Sequence, residues 1–204
     1  SDHVKGLAVF LKNTKVPLYG GVDTLDYLEE NGLIYPGTPL IAVDGRPEEV
    51  GGFCVEAFAT SHDSVGCCGF HITTPKGRTL SIATDLGFVS SGVFEALSKA
   101  EMVALEANYD RGMLMTGKYP YYLKTRIASQ RGHLDNRDSA DTIAKLLEGG
   151  CDKFALCHMS QENNAPDLLT RTMEDALAEK GAEAGRDCVL QLSRRHEISP
   201  YIEW

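Results

Sequence analysis

Five potential ligands for a divalent metal ion each fall at the start or end of a predicted element: Asp2, His3, His62, Asp85 and His158. Imidazole nitrogen together with carboxylate oxygen is the donor set that holds Zn²⁺, Mn²⁺ or Fe²⁺ in hydrolases. A carboxylate in such a set can bridge two ions. Two ions about 3.5–4 Å apart activate a water and clamp the attacked and leaving oxygens of a displacement. Each residue also has a plainer reading. Asp2 serves as a helix N-cap, Asp85 as the cap of a helix starting near Ser91, and His62 beside Asp63 as a solvated loop pair.

The elements that would position these residues follow from hydrophobic periodicity. Val4, Leu7, Ala8 and Leu11 recur at helical spacing, so Asp2 and His3 stand at a helix N-terminus. A short strand follows over 17–20, then a helix over 24–30 that ends at Asn31-Gly32. From 37 to 85 the pattern turns to strands, with short runs over 40–43 and 52–58. Residues 67–74 and 79–84 flank Pro75-Lys76-Gly77, a hairpin turn. His71, inside the first hairpin strand, reads as structural, and His62 lies in the polar break before it. The run over 79–84 is apolar and β-prone, and it delivers Asp85 at its C-terminal edge with Gly87 opening a turn. Loops at strand ends are where a rigid scaffold presents chemistry.

Beyond Asp85, helices and strands alternate: a helix over 93–100, a strand over 102–106, helical pieces to about 130, then a tight polar loop, Gly132-His133-Leu134-Asp135-Asn136. Asp135 or Asn136 caps the helix that runs to Leu147. The buried run over 154–157 ends at His158, which repeats the geometry of Asp85. A helix over 167–180 and a strand over 188–192 close the pattern. This order predicts one layered α/β domain over 1–204 with mixed sheets. The glycine-rich dinucleotide fingerprint is absent, which argues against a uniform Rossmann sheet.

Composition narrows the classes. A net charge of −9 argues against a surface coated in cations for nucleic acid, yet residues 111–131 depart from it. That segment carries Arg111, Lys118, Lys124, Arg126 and Arg131, no acidic residue, and Tyr119, Tyr121 and Tyr122 interleaved. Cations for phosphates with aromatics for bases suit a nucleic-acid groove; a solvated helix face with core tyrosines fits the same pattern. The six cysteines form no CxxC pair and mostly sit in apolar runs, so they read as reduced thiols of a cytoplasmic protein. No apolar run approaches the roughly 18 residues of a membrane span and no signal-peptide pattern opens the chain. The start at Ser1 reads as a processed form or a fragment.

The chain resembles the metallo-β-lactamase-fold hydrolases, most closely the YycJ/WalJ group. The residues that carry the resemblance are Ser1-Asp2-His3, Ser61-His62-Asp63, Ala83-Thr84-Asp85-Leu86-Gly87, Leu105-Glu106-Ala107-Asn108, Gly132-His133 through Asn136, and Leu156-Cys157-His158-Met159-Ser160 with Asn163-Asn164. The resemblance implies an αββα sandwich. Its leading motif is His-x-His-x-Asp-His; Ser1, Asp2 and His3 match the last three positions, and the two earlier histidines and the strands before them are not in this sequence. By position, Asp2, His3, Asp85 and His158 match the ligands of one metal, and His62 and Asp85 match the remaining ligands of a second. The resemblance thus implies two divalent ions, Zn or Mn, in the complete site, with one or none expected to be retained here unless an N-terminal segment or a second copy completes it.

It further implies that Asp2 orients the water, that Asp85 bridges, and that His133 acts at the scissile phosphate. Asn108, Lys124, Arg126 and Asn164 are the expected substrate-positioning groups. The implied activity is a 5′-to-3′ DNA exonuclease linked to repair. The alternatives are a hydrolase of small esters, thioesters or lactones on the same fold, and a catalytically incomplete fragment.

Overall fold

The computed structural model describes residues 3–43 and 45–203. Asp2, an expected ligand, lies outside the described residues. The element order is α1 (Leu7–Thr14), β1 (Leu18–Gly20), α2 (Val22–Glu30), β2 (Leu40–Ala42), β3 (Glu48–Val50), β4 (Phe53–Ala59), β5 (Cys68–Thr73), β6 (Thr79–Ala83), α3 (Ser91–Ser98), β7 (Met102–Glu106), α4 (Arg111–Thr116), α5 (Tyr121–Ile127), α6 (Asn136–Glu148), β8 (Lys153–Cys157), α7 (Pro166–Glu179) and β9 (Val189–Leu192).

Two sheets are present, as the resemblance implied, but they are unequal. β1 and β2 make a two-stranded parallel sheet, and β3 to β9 make a seven-stranded sheet in sequence order. The large sheet is mixed. β3 through β6 pair antiparallel, as meanders do, while β6 through β9 pair parallel and are joined by helical crossovers. Strand direction therefore sets the site. β4 runs opposite to β5, and β5 opposite to β6, so β4, β6, β7 and β8 all end at one edge of the sheet.

The main core forms where β6, β7 and β8 meet α3, α6 and α7. Leu97, Val103, Leu105, Ile143 and Phe154 are fully buried there. Each such side chain stabilises the fold by about 1.5–3 kcal/mol through removal from water. A smaller cluster of Leu11, Leu28 and Ile34 joins α1 and α2. A third, of Tyr109, Leu114 and Ile127, seats α4 and α5.

Most predicted elements match to within a few residues, but β3 was not anticipated, because Glu48-Glu49-Val50 carries two charges on a three-residue edge strand. The cap of α3 is Ser90, whose side chain accepts from Val93 N at 3.2 Å, so the capping reading of Asp85 is overturned. For α6, Asp135 is the cap, accepting from Asp138 N at 2.9 Å. All six cysteines are thiols outside any disulfide, and no described helix is long and apolar enough to cross a membrane.

Candidate active site

Four residues arrive at the shared sheet edge by strand direction alone. His62 follows β4, Asp85 follows β6, Glu106 ends β7 and His158 follows β8. Asp85 and His158 each adopt a left-handed backbone, both with φ of 56°. That conformation costs an L-residue roughly 1–2 kcal/mol, and Asp and His tolerate it better than most. The turn breaks each strand at once and points the side chain off the edge. Strain of this kind concentrates at functional sites.

The loops holding the remaining groups are locked together by close backbone approach. Gly87 N donates to Ser61 O at 2.8 Å, and Ser61 Oγ donates to Gln130 O at 2.6 Å. A Cβ at Gly87 would lie 2.3 Å from Ser129 O, and one at Gly132 would lie 2.1 Å from Ile127 O. Only glycine lets the loop before His133 seat against the end of α5.

Hydrogen bonds orient the rings of three histidines. Glu106 is fully buried, and its Oε1 lies 2.8 Å from His133 Nδ1 and 2.6 Å from His158 Nδ1. Its Oε2 accepts from Leu86 N at 3.1 Å and Leu134 N at 3.3 Å. Burial alone would push the Glu106 carboxyl up, but the hydrogen bonds from His133 and His158 and their charge outweigh it, holding the group below the usual carboxylate range. An ionised carboxylate only accepts, so both Nδ1 atoms donate to it. His62 follows the same rule, since its Nδ1 donates to Gly132 O at 2.8 Å.

Asp85 stands at the centre of these groups. His3 Nε2 lies 3.0 Å from its Oδ2; His62 Nε2 lies 3.5 Å and His158 Nε2 3.9 Å from its Oδ1. The imidazoles run in a chain, with ring centroids 4.9 Å apart for His62–His133, 5.3 Å for His133–His158 and 5.6 Å for His3–His158. Two ligand sets emerge, His3–Asp85–His158 and His62–Asp85–His133, each with its ligand atoms within 4.8 Å of one another. They share only Asp85, the carboxylate expected to bridge. The donor chemistry fits divalent ions: imidazoles gathered around one carboxylate, with His62, His133 and His158 oriented by hydrogen bonds through Nδ1. Glu106, His133 and His158 also cluster, but both Glu106 oxygens are occupied, so that residue orients the histidines. Burial pushes the adjacent Cys157 thiol up to about 12, with Glu106 and Asp85 adding to the effect, which leaves it neutral and a poor ligand.

A cleft of about 790 Å³ opens over this centre. Asn108 lines it and holds the His158 loop, its Nδ2 donating to His158 O at 2.7 Å. Arg126 lines it too, paired through two nitrogens with Asp63, the Nη2 contact being 2.8 Å. The guanidinium's hydrogen bond and charge hold the Asp63 carboxyl below its ordinary range. Two residues expected to position substrate, Lys124 and Asn164, make hydrogen bonds within the chain. Lys124 turns away from the cleft, its Nζ donating to Met115 O and Gly117 O at 2.8 and 2.7 Å, where it satisfies the carbonyl end of α4. Asn164 is buried, and its amide bonds Ala107 O, Asn108 O and Asn136, so it braces the loop under the site.

The basic segment is split in the same way. Tyr119 and Arg126 face the cleft, while Arg111 points to Asp135 at 4.0 Å beside a separate hollow, and Tyr121 and Tyr122 are exposed. The sequence assigns no role to Glu106, Arg194 or Arg195. The available signals were a charge ending the apolar run MVALE and an Arg-Arg-His triplet in an acidic chain.

This fold and centre define a class. The family described as Beta-lactamase superfamily domain matches residues 1–159, and the chain belongs to this superfamily of metallo-hydrolases. Among its relatives, exodeoxyribonuclease YycJ of Bacillus anthracis is 32% identical over 186 residues, covering 91% of this chain and 70% of the relative. Exodeoxyribonuclease WalJ of Streptococcus pneumoniae is 31% identical over 190 residues, covering 92% and 70%. The fold is shared with the metallo-β-lactamase fold protein YhfI of Bacillus subtilis, with a TM-score of 0.60 at 18% identity, covering 87% of this chain and 62% of that one. It is shared equally with a diphosphatase of the PhnP family, with a TM-score of 0.60 at 18% identity, covering 99% and 65%.

Proposed function

We propose that the complete protein is a metal-dependent phosphodiesterase that degrades DNA as a 5′-to-3′ exonuclease. The observation that carries the reading is the pair of ligand sets joined through Asp85, with three of the histidines anchored through Nδ1. The exodeoxyribonuclease relatives, similar over nine-tenths of the chain, support DNA as the substrate.

His3, Asp85 and His158 would hold one divalent ion, and His62 with Asp85 part of a second, Zn or Mn. Asp2 is the further expected ligand and the water-orienting group. When bound, such ions acidify a water and neutralise charge at a phosphoryl oxygen. The chain's own residues supply orientation and proton control. Glu106 fixes the rings of His133 and His158 and keeps their Nδ1 atoms protonated. His133, whose ring lies between those of His62 and His158, would stabilise charge at the phosphate or protonate the leaving oxygen. Asn108 restrains the loop of His158, and Arg126, set in place by Asp63, offers its remaining N–H groups to a flanking phosphate.

The test is bound metal per chain by elemental analysis, followed by degradation of end-labelled DNA with Mn²⁺. Metal bound by the wild type and lost in Asp85→Ala, with label released progressively from the 5′ end, is the expected result. Release from the 3′ end overturns the polarity. Hydrolysis of thioesters or lactones in place of DNA overturns the substrate.

A further inference from the structure

The cleft is cationic at both ends, and the two ends come from unrelated parts of the chain. At the His62 end stands Arg126 of α5, held by Asp63. At the His158 end stand Arg194 and Arg195, on the segment that follows β9. This segment is strapped along the site. Ser193 N donates to Leu156 O at 2.8 Å, continuing the β8–β9 ladder by one bond. Arg195 Nη2 donates to the carbonyl of Met159, the residue after His158. Arg194 N donates to Ser199 Oγ at 2.9 Å, and Arg194 Nη1 pairs with Glu197 at 2.7 Å, which folds the strap back on itself and leaves the Arg194 side chain 55% exposed.

We infer that Arg194 and Arg195 form a second phosphate-binding subsite, so that a single-stranded oligonucleotide lies across the histidine row with phosphates held at both ends. The inference rests on the nuclease reading and deepens it by naming a strand with phosphates on both sides of the scissile bond. The chain of rings from His62 through His133 to His158 gives the direction of the track. A small phosphodiester would span only one end of it. In a protein of net charge −9, three arginines along one cleft concentrate the attraction for a polyanion at that cleft. Tyr119, on the Arg126 side, adds an aromatic face for a base.

The experiment is equilibrium binding, by fluorescence anisotropy, of a short single-stranded oligodeoxynucleotide with a phosphorothioate backbone, measured across a range of salt. The variants are Arg194→Glu with Arg195→Glu, and Arg171→Glu as a charge change on the exposed face of α7. The strap variant should bind about tenfold more weakly, and its salt slope should be shallower by about 1.4, the counterion release of two single-strand phosphates. Arg171→Glu should leave both unchanged. The slope separates a phosphate contact from mere support of the Met159 loop, because lost support does not remove a counterion. If the reversal lowers the melting temperature, Arg194→Gln with Arg195→Gln carries the test, with the same loss of slope. Unaltered affinity and slope in the strap variants overturn the subsite and leave the nuclease reading standing. A wild type that does not bind the oligonucleotide overturns both.

Discussion

The large sheet holds two histidine arrangements that look alike locally and differ in consequence. In the antiparallel half, His71 on β5 bonds Ser81 Oγ on β6 through Nδ1 at 2.8 Å, and that hydroxyl donates to Ala96 O of α3 at 2.9 Å. At the edge shared by the parallel strands, His133 and His158 bond Glu106 through the same ring atom. Each ring is oriented by an oxygen. The first lies within a strand, buried under a helix with a neutral partner, and burial lowers its proton affinity. The second pair leans on an ionised carboxylate and lines a cleft. The same kind of orienting hydrogen bond thus buries one ring in the sheet and sets the others at the sheet edge, where the strands have ended.

The largest effect that would break the comparison is at Asp85, the one member common to both ligand sets. Asp85→Ala should remove bound metal and lower DNA degradation by about a thousandfold or more, the scale of several kcal/mol of lost charge stabilisation. Metal retained by this variant would mean that the edge is not organised around Asp85. Next in size is Glu106→Gln. Its amide keeps one acceptor but turns N–H groups toward the ring or backbone donors that Glu106 now satisfies. Metal affinity should fall about 10–100-fold, as for other groups that orient metal-bound histidines, read by competition with a chromophoric chelator.

Gly132→Ala tests the close loop packing under His133. A methyl group 2.1 Å from Ile127 O has to displace backbone, and a loss of about 1–3 kcal/mol is expected in urea unfolding, as for other overpacked sites. The smallest effect sharpens the other side of the comparison. The folded-state pKa of His71 is lowered by burial below its ordinary value of 6.5. The unfolded chain therefore takes up the proton first as pH falls. His71 contributes stability that is fully present above pH 6.5 and is lost as pH drops toward its folded value. His71→Leu should flatten that dependence in urea midpoints below neutrality and leave bound metal unchanged. Loss of metal would show that the two arrangements are coupled through β6.

Much of the site was legible in the chain because its ligands punctuate it. Asp85 and His158 each end an apolar run, and such a run is recognisable as a strand from its residues alone. Hydrophobic periodicity therefore located most elements, the resemblance motifs pointed to the superfamily, and together they marked the candidate ligands. Glu106 escaped because a carboxylate closing MVALE looks like a solvated strand end. Only the β7–β8 register, which sets Glu106 opposite Cys157, places it behind His158. The chain acceptors of Lys124 and Asn164 were not legible, because composition shows a cation or an amide but not which acceptor lies within reach. Direction was decided in the same way. The sequence by itself determined which residues could bind metal and that each follows a strand or begins a helix. The tertiary structure alone decided that four strand ends share one edge, that one buried carboxylate orients two of the histidines, and that a strap distant in sequence brings two arginines to the cleft. The physical reason is that strand propensity is local, whereas pairing direction, hydrogen-bond partners and the meeting of distant charges depend on contacts the chain makes only once folded.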